Sequence, residues 1–115
     1  MTQPPTARSH TMPVVFVSHG APTLAIDPVA GADFTRLGAS LPPPRAVLVV
    51  SAHWLDTPPA IGTRTRVPLL HDYAGFPETL YRIRYDAPAA GDLADELQRR
   101  LPSLERADER PWDHG

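Results

Sequence analysis

The sequence predicts an α/β fold: a mostly parallel sheet with flanking helices. Three observations carry that expectation. Two short, valine-rich apolar runs, residues 14–17 and 46–50, have the unbroken hydrophobic character of strands covered on both faces. A segment with helical spacing lies between them, which gives the strand–helix–strand order of a right-handed crossover and a parallel pair. Further on, Leu93, Leu97 and Leu101 recur every fourth residue and mark one apolar helix face.

Each element follows from local chemistry. Residues 1–12 are polar, contain Pro4-Pro5 and show no periodicity, so they are expected to form a flexible tail. Residues 13–17 form the first expected strand, and Ser18-His19-Gly20-Ala21-Pro22 the loop beyond it. Residues 27–40 should contain a helix, because Phe34 and Leu37 share a face and Gly38 lies near its end. Leu41-Pro42-Pro43-Pro44 stops that helix and leads stiffly into the second strand. This strand, residues 46–50, ends in Ser51-Ala52-His53-Trp54. Residues 58–65 read as a short third strand of weak alternation.

Leu70 to Pro77 is a loop by composition, with a histidine, an acid, two aromatics and a glycine. Such a loop suits ligand binding, and it equally suits a hydrogen-bonded turn packed on Tyr73 and Phe76. Glu78 to Ile83 reads as one helical turn. Residues 89–101 give the clearest helix. Asp92, Asp95 and Glu96 stand early in it and Arg99 and Arg100 late, as the helix dipole favours, and Pro102 closes it.

Composition narrows the function classes. A length of 115 residues corresponds to about one small domain. With 42% hydrophobic and 21% charged residues, the chain is not of disordered composition. A formal net charge of -2, with arginines scattered among acids, argues against a nucleic-acid surface. No apolar stretch approaches the roughly 20 residues of a membrane span, and the N-terminus lacks a signal-peptide core. The absence of cysteine removes disulfides, thiolate metal sites and a cysteine nucleophile, and it is compatible with the reducing cytoplasm.

The two apolar runs each deliver a histidine, His19 and His53, to what would be one edge of the sheet. In open α/β sheets chemistry collects beyond the carboxyl ends of the strands. Paired imidazoles there suggest a metal site, and neutral imidazoles suit zinc, iron, copper and nickel. Two ligands leave such a site one short; Asp27, Asp56, His71 and Asp72 are the in-chain candidates for a third. Near the C-terminal residue, Asp113-His114 reads either as a pair set for proton transfer or as a solvated end. A zinc hydrolase using Asp56, Asp72 or His71 stays open on these grounds. Ser18 lies outside any Gly-x-Ser-x-Gly elbow, and no phosphate-binding Gly-Lys-Ser/Thr loop occurs. Ser18 also stands where the Arg-His-Gly of a histidine phosphatase would need arginine.

Taken together, these pieces resemble the class III extradiol ring-cleavage dioxygenases, in the bacterial 4,5-DOPA dioxygenase-like branch. The matching segments, in the family's order, are Ser18-His19-Gly20-Ala21-Pro22, Leu41-Pro42 with Val50-Ser51-Ala52-His53-Trp54, and His71-Asp72-Tyr73-Ala74-Gly75-Phe76-Pro77 with Leu80-Tyr81. Tyr85, Ala87-Pro88 and Trp112-Asp113-His114-Gly115 complete them. The resemblance implies that His19 and His53 ligate one mononuclear Zn2+ or Fe2+. It implies that His71 lies in the substrate-side loop and that His114 faces the active site as an acid–base group or substrate contact. The implied reaction inserts both atoms of O2 into a catechol-type aromatic ring and opens it beside the hydroxyls. Family members run well past the Asp-His-Gly motif and take their third metal ligand from there. Residues 13–115 are thus expected to be the N-terminal portion of such a domain, an incomplete class III extradiol dioxygenase unit. An inactive metal-binding fragment is the corresponding alternative to an active enzyme.

Overall fold

A computed structural model describes residues 11–18, 20–55, 58–63 and 68–115. The expected tail lies almost wholly outside these residues, as do His19 and Asp56. The described chain is a small α/β arrangement of two α-helices, two 3₁₀ turns and one parallel pair of strands.

Helix α1 spans Ala32–Ser40. Its start follows an Asx turn: Asp27 Oδ1 accepts from the amides of Val29 (2.8 Å) and Ala30 (3.0 Å). Gly31 supplies the N-cap position without a side-chain cap. Leu41 already has extended backbone, and the prolines after it cannot rejoin a helix. A 3₁₀ turn, Pro22–Ala25, precedes α1 and lies against a second one, Glu78–Arg82.

Helix α2 spans Gly91–Arg100, inside the expected range. Ala94 is buried, Leu93 and Leu97 are half-buried, and Leu101 falls past the end of the helix and is exposed. Arg99 and Arg100 both pair with Glu96 one turn earlier, Arg100 at 2.6 Å. These pairs are exposed and contribute little each.

Strands β1 (Ala60–Ile61) and β2 (Glu105–Arg106) run parallel, with Ala60 opposite Glu105 and Ile61 opposite Arg106. Amides of Glu105 and Ala107 extend the ladder, donating to Pro59 O (2.9 Å) and Ile61 O (2.8 Å). Gly62 is required here, because a Cβ would sit 2.7 Å from Ala107 O. A polar latch locks the pair to α2. Asp108 accepts from the Thr63 amide (3.0 Å), the Thr63 hydroxyl (3.1 Å) and Arg106 Nε (2.8 Å), while Arg106 Nη1 reaches Asp95 of α2 at 2.6 Å. Trp54 closes this end, donating from Nε1 to Ala60 O (2.9 Å) beneath the Arg110 guanidinium, 3.9 Å from the ring centroid.

The strands expected at residues 13–17 and 46–50 do not form a ladder among the described residues. Both runs are wetted: Val14 is 101% exposed, Phe16 99% and Val50 92%. β-Branched side chains keep a backbone extended by local sterics. A buried parallel strand also needs neighbours and a covering layer on each face. The described packing supplies neither, and it fully buries only Leu80 and Ala94. The parallel pair forms instead at the expected third strand, shortened to Ala60–Ile61.

Candidate active site

Three stretches distant in sequence meet around His114. Leu70 donates its amide to Trp112 O at 2.8 Å, so the loop after residue 69 runs beside the last residues. That pairing brings Asp72 to His114. His114 Nδ1 lies 2.7 Å from Asp72 Oδ1, and the His114 amide donates to the same oxygen at 3.2 Å. The third stretch carries His53, whose ring centroid is 4.2 Å from that of His114 at a tilt of 46°. Gly115 makes this approach possible. A Cβ there would collide with Ser51 Oγ and with the His53 ring, so only a bare backbone can lie between them.

The electrostatics of the dyad follow from this geometry. Burial acts to raise the Asp72 carboxyl. The hydrogen bonds from the His114 ring, from its own amide and from the His114 amide outweigh burial and hold it below the usual carboxylate range. An ionised Asp72 is acceptor only, so His114 presents Nδ1–H to it and Nε2 becomes the basic nitrogen of the neutral ring. A carboxylate holding imidazole in one tautomer is the arrangement that proton-transfer sites use.

His71 and Tyr73 build the wall behind the dyad. The ring of Tyr73 is edge-on to Phe76 (5.4 Å) and to His114 (6.0 Å), and its hydroxyl donates to Leu80 O (3.2 Å). Gly75, with φ of 80°, makes the turn that lets Phe76 fold back onto Tyr73. Burial, with Tyr81 and Asp72 nearby, raises the Tyr73 phenol. His71 packs edge-on to Tyr73 (5.9 Å) and Tyr81 (6.2 Å). Its Nε2 is buried without a hydrogen-bond partner among the described residues.

Of the residues singled out in the sequence, the structure brings His53 and His114 together and seats His71 behind the same loop. The carboxylate hydrogen-bonded to the His114 ring is that of Asp72, while Oδ1 of the adjacent Asp113 accepts from the Gly115 amide (2.8 Å). In the sequence Asp72 stands out only as a candidate third metal ligand; a separation of 42 residues leaves no periodic signal for the pairing. Asp27 is committed to its own turn. His19 lies outside the described residues, and with it any distance to His53. Among the described residues no group of three or more histidines and carboxylates could hold a metal ion. The donor chemistry at His53 is nonetheless suitable. Its ring is exposed, and an imidazole nitrogen is of the donor type that suits a borderline metal such as zinc or iron(II).

No family model matches the chain. Over most of its own length, however, the chain is similar to proteins named as extradiol dioxygenases. It is 37% identical over 111 residues to the 4,5-DOPA dioxygenase extradiol of Escherichia coli (strain K12), an alignment covering 93% of this chain and 41% of the relative. It is 33% identical over 109 residues to the 4,5-DOPA dioxygenase extradiol of Beta vulgaris, covering 87% and 41%. A dioxygenase named tasH, from Hapsidospora irregularis, is 31% identical over 122 residues, covering 90% and 37%. The chain thus spans about two fifths of the length of the relatives it matches.

Proposed function

We propose that the chain carries part of the active site of a metal-dependent extradiol dioxygenase that opens a catechol-type ring with O2. The observation that carries this reading is the Asp72–His114 dyad set against His53, in a chain homologous to proteins named for that reaction. His19 and His53 would hold the metal. When bound, iron(II) supplies electron exchange with O2 and either metal supplies a Lewis acid. The finer fold assignment, part of a class III extradiol dioxygenase domain, belongs to the same proposal, as does a cytoplasmic location for this cysteine-free chain. No helix among the described residues is long and apolar enough to cross a membrane.

The chain's own groups have distinct tasks. His114 Nε2 takes a proton from a catechol hydroxyl, and Asp72 stabilises the imidazolium that results. The same nitrogen returns a proton as the ring opens. In the balance, the carbon–carbon bond beside the hydroxyls breaks and both oxygen atoms remain in the product. His71 belongs to the substrate-side loop, and Tyr73 keeps water from the side of the dyad it covers.

The test is to incubate the chain with iron(II), O2 and DOPA. The expected result is a yellow ring-opened product that disappears in His53→Ala. A folded chain that binds iron(II) and yields no product would refute turnover. The share of the relatives' length covered supports a second reading, in which these residues hold metal and substrate without completing the reaction; metal binding without product is its signature.

A further inference from the structure

A cleft of about 460 Å³ lies between the first 3₁₀ turn and α1, and His114 forms part of its lining. The volume falls within the range of small-ligand sites. Most of the wall is apolar, from Leu24, Ile26, Pro28 and Phe34. Asp27 is the one formally charged side chain lining it among the described residues. Its carboxylate is fixed in place, because Oδ1 accepts both the Val29 and the Ala30 amide. Those two bonds, that from Ala30 first, also hold its carboxyl below the usual range, so it is anionic at neutral pH. Oδ2 takes part in neither bond, and no ion pair to Asp27 occurs among the described residues.

The cleft therefore combines an aromatic face, an apolar wall and one immobilised negative charge, with the His114 imidazole alongside. The His53 ring lies 4.2 Å from that of His114, centroid to centroid. A catechol whose hydroxyls met His114 would have Phe34 and Asp27 as further lining for its substituent. An anionic substituent there would meet a like charge that has no ion pair among the described residues, whereas an ammonium would gain both an ion pair and the ring face of Phe34.

We propose that this cleft is a subsite for the ring substituent of the substrate, and that Asp27 makes it select catechols bearing a cationic amino group over those bearing a carboxylate. The catechol part rests on the dioxygenase reading; the charge preference rests on the cleft alone.

Binding is measured without turnover, on the full chain under argon with a chelator present, by chemical-shift titration with dopamine and with dihydroxyphenylacetate. Dopamine should bind more tightly by roughly three- to fivefold, the upper end of an exposed charge interaction. Its shifts should concentrate on Leu24, Ile26, Phe34 and His114, and the preference should shrink as salt is added. Asp27→Asn keeps an acceptor for Val29 and Ala30, so the turn survives while the preference falls to within about twofold. Equal binding of the two compounds by the unaltered chain would overturn the proposal, and so would a preference that persists in Asp27→Asn or shifts that avoid the cleft. Binding of neither compound overturns it too. Charge-selective binding without ring-opened product in the aerobic assay would remove the dioxygenase reading and leave the subsite standing. Product without charge selectivity would do the reverse.

Discussion

Replacing Asp108 by alanine should loosen the only strand pairing among the described residues and move the segment that carries His114. Three donors converge on this carboxylate: the Thr63 amide at 3.0 Å, the Thr63 hydroxyl at 3.1 Å and Arg106 Nε at 2.8 Å. Neutral hydrogen bonds are worth about 1 kcal/mol each, and one to a charged partner about 1.5–3 kcal/mol. The Arg106 and Asp108 side chains are 28% and 40% exposed, so water recovers part of the lost bonding. Asp95 also still holds Arg106, at 2.6 Å. The expected net loss is about 2–3 kcal/mol. Urea unfolding followed by circular dichroism reads it as a lower midpoint with an unchanged slope. Asp108→Asn, which can still accept from Thr63, should cost less. The pH dependence has a definite sign. The Thr63 amide and then Arg106 hold the Asp108 carboxyl below its ordinary value, against a smaller upward push from burial. Its contribution is thus fully present above the unfolded carboxyl range and is lost as pH falls through the folded value. In Asp108→Ala that part of the acid sensitivity should vanish. A cost under about 0.5 kcal/mol, or an alanine variant no worse than the asparagine one, would refute the latch as described.

Two further outcomes follow from the same structure. Gly62→Ala places a Cβ 2.7 Å from Ala107 O and 3.3 Å from Trp54 Cη2, so β1 and β2 must part; a loss of about 1–3 kcal/mol is expected by thermal unfolding. Asp72→Ala removes the carboxylate that fixes the His114 tautomer. Under the proposed reaction it should lower kcat by roughly 10- to 100-fold with little change in KM. Nitrogen NMR of the neutral ring should show the His114 proton redistributed between Nδ1 and Nε2, and Asp72→Glu should restore part of both.

The helices were legible because their signals are local. Phe34 with Leu37, and the leucine spacing from Leu93, needed no information from elsewhere in the chain, and proline marked both stops. The strands were legible only in part. Valine-rich runs report that a segment will be extended and wants cover; they cannot report whether cover arrives. At Val14 and Val50 it does not. Conversely, β2 is a two-residue Glu105–Arg106 segment with no alternation to read. His53, His71 and His114 stood out by residue type and setting. Asp72 as the partner of His114, and Thr63 as the partner of Asp108, are set by tertiary pairing across 42 and 45 residues, where no sequence period reaches. Asp27 was read as a spare ligand; its Asx turn is local, but its place beside the His114 cleft is set by tertiary packing.

Val14 to Val17 and Val47 to Val50 also bear on how the molecule behaves in bulk. Each presents apolar side chains to solvent, and exposed β-branched runs are where identical chains template one another. In a preparation of residues 1–115 alone, these runs should cross-seed between molecules at high concentration. Dilution, mild chaotropes or the substitution Phe16→Lys would keep the material dispersed, whereas tuning the histidines would not.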